Sequence, residues 1–303
     1  MTYSLPLLRG SLLLELLVAI LLLSLILPFV VTATARLHER YQLAQTYLEQ
    51  HKVKNAIEEH FRSQWSRLVP ANCCDDETLF LTIQSGHSVP SRLSKRPLSA
   101  QSDWLKGSDY GLCRTSVTIT TNPLETGLSC HWKAGNRVSF SSCDARYQGQ
   151  VLSVSSSRTK IELMDEAALG QSGILASEDA FYWYLGEGKN GQNALWRTPE
   201  GSGNSLELWA GLERLSIFPL LDNDKDGLVD AIDSRYGDFS LQTLRGLWVE
   251  YLYELSDCAI NPNAKQAPQR NREYRSMRGD TWHYQAPCQG VGNHIIVLKG
   301  KSL

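Results

Sequence analysis

The feature that most constrains this chain is a run of apolar residues near its N-terminus. The run extends over residues 12–35, and few polar residues or prolines interrupt it. These interruptions are Glu15, Ser24, Pro28, Thr32 and Thr34. A helix of about 20 apolar residues crosses the hydrocarbon core of a bilayer. The run therefore predicts one transmembrane helix at about residues 12–35.

The charged residue inside this run and the residues before it indicate how the helix is used. A carboxylate within a spanning helix costs about 2.5–3.5 kcal/mol on insertion scales, so Glu15 is expected to have a partner or a task. A secretory signal peptide carries its small-residue cleavage site after the apolar stretch. Here the candidate site, Gly10, comes before the stretch, and Glu15 is the fifth residue after it.

A short leader containing Arg9 and ending in Gly10, followed by an apolar run with Glu at its fifth position, resembles the type III signal of type IV prepilins and pseudopilins. In that family a prepilin peptidase cuts after the Gly on the cytoplasmic face and methylates the new N-terminus, and the apolar helix stays in the mature protein. The resemblance implies a leader at 1–10 and a cut between Gly10 and Ser11. The family usually has Phe at the first mature position, so Ser11 leaves the extent of methylation open. The alternative is a plain signal anchor with a chance Glu.

The position of Glu15 has a physical rationale in this family. A mature N-terminal ammonium and a carboxylate in hydrocarbon each need an opposite charge. In stacked subunits Glu15 can pair with the Ser11 amine of a neighbouring subunit, which fixes the axial register. The implied partners are other pilins through the N-terminal helix, the prepilin peptidase and the inner membrane.

The helical pattern continues beyond the apolar run. Apolar residues recur at steps of three to five and form a stripe on one helix face. The stripe consists of Leu37, Tyr41, Ala44, Leu48, Val53, Ile57, Phe61 and Trp65. The pattern predicts a helix from about residue 11 to about residue 66, within an N-terminal helical region of residues 11–68. Pro28 predicts a kink, and Pro70 marks the stop.

From residue 69 the patterning is that of β-strands. Four strands are predicted at 115–120, 151–154, 181–184 and 295–298. Two clusters rich in Gly, Asn and Ser predict turns at 186–193 and 201–205, and the serine-rich stretch 90–106 predicts a loop. The expected fold is therefore α+β: a long N-terminal helix packed on a β-rich globular head at 69–303, as in pilins.

The seven cysteines all follow the apolar run. The sequence contains no CxxC pair and no Cys/His spacing that suits zinc. The cysteines are therefore expected to form disulfides in an oxidising compartment. Their order and strand placement predict that Cys258 pairs with Cys288. They also predict a pair between Cys113 and Cys130 that spans two adjacent strands. The odd count leaves the full map open.

A second resemblance concerns the head. Residues 181–186, 194–197 and 206–215, separated by turns, are similar to the head of PilW-type minor pilins, relatives of the J pseudopilin of type II secretion. There a strand ending in "leu-tyr-arg" precedes one that reads "leu-val-x-gly-val-glu-x-leu". An acidic loop and another strand follow, here at 222–233 and 244–255. Cysteines just after the long helix, here Cys73 and Cys74, also fit this family.

The acidic loop has the pattern of a calcium site. Carboxylates at loop positions 1, 3, 5, 9 and 12, with Gly227 at position 6, match the calcium loop of EF-hand type. These carboxylates belong to Asp222, Asp224, Asp226, Asp230 and Asp233. The backbone carbonyl of Leu228 would be a further ligand. Because the flanks are strand-like, the sequence predicts one lone Ca²⁺ loop. The alternative is an acidic surface turn.

Other candidate sites are weaker. Residues 265–278 hold five basic side chains against one acid, a pattern typical of a phosphate-binding patch or of a solvated loop. The loop is favoured because only Tyr274 offers a stacking surface there, so nucleic acid is not an expected partner. Residues 186–191 only mimic a phosphate-binding loop, because a strand follows them where a helix is required. With no recognisable catalytic motif, the chain is not expected to be an enzyme.

These observations lead to one functional hypothesis with two alternatives. The chain is expected to be a PilW-type minor pilin with a structural role in a type IV pilus or its initiating tip. It would be a single-pass inner-membrane protein with a periplasmic head, and then part of the pilus at the cell surface. The first alternative is a J-type pseudopilin of a type II secretion system. The second is a membrane-tethered adhesin or enzyme head.

Overall fold

The computed structural model describes residues 9–70, 79–127, 130, 132–142, 145–255 and 270–298, with side chains described from residue 14. The chain divides into two units, Met1–Lys52 and Val53–Leu303. One long apolar helix at the N-terminus is followed by a domain made mainly of strands. The α+β class predicted from the sequence is therefore confirmed.

The helix, α1, extends over Arg9–Trp65. The prediction of a helix from about residue 11 to about residue 66 agrees with these bounds to within two residues. The helix continues through Pro28, and the predicted kink there stays a prediction. From Val53 onward α1 belongs to the second unit.

Eighteen strands follow in the described residues. In chain order they are β1 (Phe80–Ser85), β2 (Asp103–Asp109), β3 (Arg114–Thr118), β4 (Leu124–Thr126), β5 (Arg137–Ser141), β6 (Arg146–Val154), β7 (Thr159–Leu163), β8 (Ser172–Ser177), β9 (Asp179–Glu187), β10 (Asn193–Pro199), β11 (Leu206–Ala210), β12 (Leu212–Leu221), β13 (Ala231–Ile232), β14 (Gly237–Ser240), β15 (Leu244–Glu254), β16 (Arg270–Arg275), β17 (Thr281–Ala286) and β18 (Gln289–Val297). Two short 3-10 helices lie at Ser91–Leu93 and Glu166–Ala168.

The strands form three sheets and one isolated hairpin, and each strand pair is antiparallel. The first sheet has the order β11-β10-β9-β2-β1-β14, and the second has the order β13-β12-β15-β18. The third sheet has the order β3-β8-β5-β6-β7-β4. Among the described residues, strands β16 and β17 pair only with each other. We call the third sheet the inserted sheet, because its strands all lie between β2 and β9 in the chain.

The main core of the head lies where the last turns of α1 meet the first and second sheets. Ile57, Phe61 and Trp65, which share one helix face, are almost completely buried. The Phe61 ring stacks on Trp65 at 4.7 Å and meets the Tyr251 ring edge-on at 5.5 Å. Both sheets contribute buried side chains to this core: Leu81, Ile83, Leu105, Trp183, Leu195, Leu215, Ile217, Leu247, Val249 and Ile296. Each such side chain stabilises the fold by about 1.5–3 kcal/mol.

The inserted sheet has a core of its own. Its buried side chains are Ile119, Leu124, Trp132, Val138, Phe140, Val151, Ile161, Leu163, Ala168 and Leu175. The sequence pattern predicts one head over residues 69–303 and gives no indication of this separate cluster. Strand periodicity identifies strands but not which strands share a sheet, so the insertion became visible only in the three-dimensional pairing.

The junction between the first sheet and the insertion is a buried charged cluster. Asp109 ends β2 and lies opposite Asp179, which begins β9. Burial raises the pKa of both carboxyls, and for Asp179 the neighbouring Asp109 charge adds to that rise. Arg67, just after α1, donates to Asp109 at 2.8 Å, and Arg197 of β10 lies 3.9 Å from it. The two cations offset the repulsion between the acids and connect the end of the helix to the junction.

The four strands predicted from the sequence are present, and each observed strand overlaps its predicted range. Strands β9, β10 and β11 are separated at the predicted turns 186–193 and 201–205. The prediction of a loop over residues 90–106 was wrong at its end, because β2 begins at Asp103. Trp104 and Leu105 are buried there between neighbouring strands. The serines and Lys106 around them concealed this strand from a composition-based assignment.

The predicted disulfide between Cys113 and Cys130 is present, with a Cα–Cα distance of 5.9 Å. The prediction that it spans two adjacent strands was wrong, since β3 pairs with β8 rather than with β4. Cys113 immediately precedes β3, and Cys130 lies between β4 and β5. Both cysteines pack against the core of the inserted sheet. The bond therefore closes the N-terminal part of the insertion.

The second predicted disulfide is only partly visible. Cys288, immediately before β18, is buried and disulfide-bonded. Its predicted partner, Cys258, lies outside the described residues, so the pairing of Cys258 with Cys288 stays a prediction. Cys73, Cys74 and Cys143 also lie outside the described residues.

Polar contacts accompany the core where α1 crosses the second sheet. The Tyr251 hydroxyl donates to Glu58 Oε1 at 2.9 Å, and His294 Nδ1 lies 3.5 Å from Glu58 Oε2. On the other side of the imidazole, the Arg62 guanidinium lies 3.3 Å from Nε2. Burial lowers the pKa of His294; the Glu58 charge opposes this effect, and the Arg62 and Lys54 charges add to it. The neutral ring, with Nε2 accepting from Arg62, is therefore the form that fits this interface.

The disulfide gives the first testable prediction. We expect the double variant Cys113→Ala/Cys130→Ala to lower the free energy of unfolding by about 2–4 kcal/mol, because the open chain regains loop entropy in the unfolded state. Chemical denaturation of the detergent-solubilised chain measures this change. The variant Ser156→Ala, at an exposed turn of the same sheet, is the matched control. Equal stability of the double variant and the wild type would contradict a stabilising bond.

His294 gives the second prediction. Because its pKa in the folded chain is lowered, the unfolded chain binds a proton more readily below the ordinary histidine pKa of 6.5. Stability should therefore fall as the pH falls through that value, and it should fall less in His294→Gln. The measurement is Tm between about pH 8 and pH 5, with the exposed His87→Gln as control. A His294→Gln chain with the wild-type pH dependence would exclude this residue as the cause.

Candidate functional site

The predicted processing residues lie at the start of α1. Gly10 and Ser11 belong to its first turn, and Glu15 follows about one turn later on an exposed part of the helix. The residues of the predicted leader before Arg9 lie outside the described residues. Gly10 and Glu15 therefore belong to one continuous helix, and the predicted cut between Gly10 and Ser11 stays a prediction.

The apolar run of α1 has an uncovered surface. Its large side chains are exposed over almost the whole run: Leu14, Leu16, Leu17, Val18, Ile20, Leu21, Leu22, Leu23, Leu25, Ile26, Leu27, Phe29, Val30 and Val31. The hydroxyls of Ser24, Thr32 and Thr34 donate to carbonyls of the same helix at 2.7–2.9 Å. Within the described part of the chain, one helix is long and apolar enough to cross a membrane. Such a surface requires lipid or other apolar helices around it.

The acidic loop follows β12 and includes the short strand β13, and it brings three of its five carboxylates together. One oxygen each from Asp222, Asp224 and Asp226 lies within 4.8 Å of the others. The N–H of Asp226 donates to Asp224 Oδ1 at 3.1 Å, and the N–H of Leu228 donates to Asp226 Oδ1 at 2.8 Å. Gly227 has φ of +99°, a conformation that glycine adopts without strain. These turns fold the loop back on itself.

Asp222 is the buried member of the group. Its Oδ2 accepts from Arg245 Nε at 2.6 Å, from Arg245 Nη2, and from the N–H of Gly227 at 3.0 Å. Burial alone would raise the pKa of Asp222, but the hydrogen bonds from Arg245 and Gly227 outweigh it and hold the pKa below its ordinary value. The carboxylate is therefore ionised in the fold. Sequence reasoning missed Arg245, because nothing in the loop pattern indicates a partner on β15.

The other two carboxylates of the predicted set have different partners. Asp230 Oδ2 accepts from the N–H of Asn223 at 2.7 Å and closes the loop. Asp233 forms an ion pair with Arg235 at 2.8 Å, and this contact lowers the pKa of its carboxyl. Neither belongs to the convergent group of Asp222, Asp224 and Asp226.

The basic segment does not form one exposed patch. Arg278 is almost fully buried and donates to Asp103 Oδ2 at 2.8 Å and to the Ile217 carbonyl at 2.8 Å. Its guanidinium lies between the Phe218 and Tyr236 rings, at 4.7 and 3.9 Å. Residues 270–275 form strand β16 rather than the predicted loop, and residues 265–269 lie outside the described residues. Of the four basic residues of the segment that the structure describes, Arg270, Arg272 and Arg275 are exposed, whereas the Arg278 side chain is buried.

A second buried carboxylate near Arg278 was also missed. Glu250 of β15 accepts from the hydroxyls of Tyr274 at 2.9 Å and Ser276 at 2.5 Å. The N–H of Met277 lies 3.3 Å from both of its oxygens. Burial is the main reason that the pKa of Tyr274 is raised to about 12. Glu250 and Asp103 therefore fix the tip of the β16–β17 hairpin on the head. The positions of Glu250 and Asp103 in the sequence give no indication of this contact with the hairpin tip.

Comparisons with known proteins leave the family open. No family model, no curated protein and no solved structure matches the chain. The described structure establishes a long apolar N-terminal helix and a β-rich head, an architecture compatible with that of pilins. Any narrower assignment depends on the residues at the start of α1 and on the order of strands in the head.

Proposed function

We propose that the chain is a pilin-like subunit that is anchored in the inner membrane by α1 and is processed between Gly10 and Ser11. The observation that carries this proposal is the position of Gly10 and Glu15 at the start of one unbroken helix, Arg9–Trp65. A plain signal anchor needs only the apolar run. It does not need a helix that extends far beyond the bilayer and contributes Phe61 and Trp65 to the head core.

Within this class, we propose a PilW-type minor pilin with a structural role in a type IV pilus or its initiating tip. The succession of β9, β10, β11 and β12, followed by the acidic loop and β15, has the order seen in the heads of that family. The exposed apolar surface of α1 suits lipid before assembly and the helices of neighbouring pilins after it. The head would face the periplasm first and the pilus surface later.

Glu15 has a specific task in this proposal. In an apolar surrounding, the amine of Ser11 on a processed neighbour offers the charge that the carboxylate requires. The pairing would set the axial offset between subunits. Its energetic value is highest in the assembled state, because lipid headgroups and water can still reach an end of the helix in a free subunit.

Processing gives the third prediction. In cells that contain a prepilin peptidase, we expect the wild-type chain to lose its first ten residues, and Gly10→Leu to keep them, because a bulky side chain blocks the cut. Intact-mass measurement of the purified chain reads the result. Ser11→Phe, which restores the residue usual in the family, is the control and should still be cut. A wild-type chain that keeps residues 1–10 would overturn the pilin assignment.

Assembly gives the fourth prediction. We expect Glu15→Ala to insert in the membrane, but we expect its amount in sheared pili to fall by roughly tenfold or more. A loss of about 1.4 kcal/mol in the free energy of pairing between subunits corresponds to a factor of ten. Quantitative immunoblotting of the sheared and membrane fractions measures the ratio. Glu39→Ala, an exposed acid on the same helix outside the apolar run, is the matched control. Wild-type amounts of Glu15→Ala in pili would contradict the charge pairing.

A further inference from the structure

We propose that the loop between β12 and β13 binds one Ca²⁺ through Asp222, Asp224 and Asp226, with Asp222 as the buried anchor ligand. This inference concerns the head alone and is independent of the proposed pilin function. It also differs from the sequence expectation, which assigned five carboxylates to the metal. The structure favours three of them.

The main support is an oxygen of Asp222 that has no partner among the described groups. Asp222 is fully buried, and its Oδ2 is held by Arg245 and Gly227. Its Oδ1 is also buried but accepts no hydrogen bond from the described residues. A buried carboxylate oxygen without a partner is costly to leave unsatisfied. A cation bound to Oδ1 removes this cost.

The neighbours of Asp222 suit the same cation. The carboxylates of Asp224 and Asp226 lie within 4.8 Å of that of Asp222, on the exposed side of the loop. Hard cations such as Ca²⁺ take six to eight oxygen ligands at about 2.3–2.6 Å. Three carboxylates, the Leu228 carbonyl and water can supply such a set. Asp224 and Asp226 are exposed, so these two ligands are open to solvent.

The charges around the loop also favour a divalent ion. Three carboxylates lie close together, and the Arg245 guanidinium at Asp222 offsets one of their charges. Lys225, between Asp224 and Asp226, donates to Gln242 at 2.9 Å rather than to either acid. About two negative charges therefore remain for the bound ion. Asp233 contributes none of them, because Arg235 neutralises it.

The experiment is direct binding of ⁴⁵Ca²⁺ to the full chain in detergent micelles, by equilibrium dialysis, with Tm measured in parallel. We expect one ion per chain with Kd of about 10⁻⁴–10⁻³ M, the range of extracellular calcium modules. Tm should rise with Ca²⁺ and level off as the site fills. Mg²⁺ at the same concentration should raise it less, because Mg²⁺ needs a smaller octahedral site and keeps its water.

Two variants and a matched control separate the three-ligand site from the sequence pattern. Asp226→Asn, at an exposed position, should weaken binding by tenfold or more. Asp222→Asn should abolish binding, although it also disturbs Arg245, so Asp226→Asn is the decisive variant. Asp233 is a ligand in the sequence pattern but not in the three-carboxylate site. The control Asp233→Asn should therefore bind Ca²⁺ as tightly as the wild type does.

Three results would overturn the proposal. The first is a wild-type chain that binds no Ca²⁺ at about 10 mM, well above the expected range. The second is an Asp226→Asn chain that binds as tightly as the wild type, which would place the ion elsewhere. The third is an Asp233→Asn chain that loses as much affinity as Asp226→Asn, which would mean that the loop closes around five carboxylates.

Discussion

The head depends on the burial of one face of the last turns of α1. Ile57, Phe61 and Trp65 fill the space between the first and second sheets, and both sheets direct apolar side chains toward them. The helix that starts as a candidate membrane span thus also contributes buried side chains to the core of the head.

Around that core, the buried acids have partners that are distant in sequence. Asp103 pairs with Arg278, Asp109 with Arg67, and Asp222 with Arg245. A buried carboxylate with an arginine is no strong source of stability by itself, since desolvation offsets the attraction. Removing one partner, however, leaves an uncompensated charge. These pairs therefore specify which elements pack together: β2 with the hairpin tip, the helix end with the insertion junction, and the acidic loop with β15.

The sequence was sufficient for the elements that have a strong local pattern. A stripe spaced like a helix predicted α1, and Gly-rich clusters between aromatic runs predicted the turns around β10. Three features required the structure because non-local pairing decides them. The inserted sheet needs knowledge of which strands pair, and β2 is polar in composition although it is buried. In the acidic loop, spacing alone predicted five carboxylate ligands, whereas the structure brings Asp222, Asp224 and Asp226 together and pairs Asp233 with Arg235.

The position of the insertion has a consequence for the order in which the chain folds. Strands β2 and β9 are neighbours in the first sheet, but the whole inserted sheet separates them in sequence. Closing so long a loop while it is unstructured costs entropy before any contact is gained. Once the inserted sheet has formed, Asp109 and Asp179 lie opposite each other. The loop between β2 and β9 is then already closed. The topology therefore favours a folding pathway in which the inserted sheet forms first. The two parts of the first sheet, β11-β10-β9 and β2-β1-β14, then pair with each other through β9 and β2.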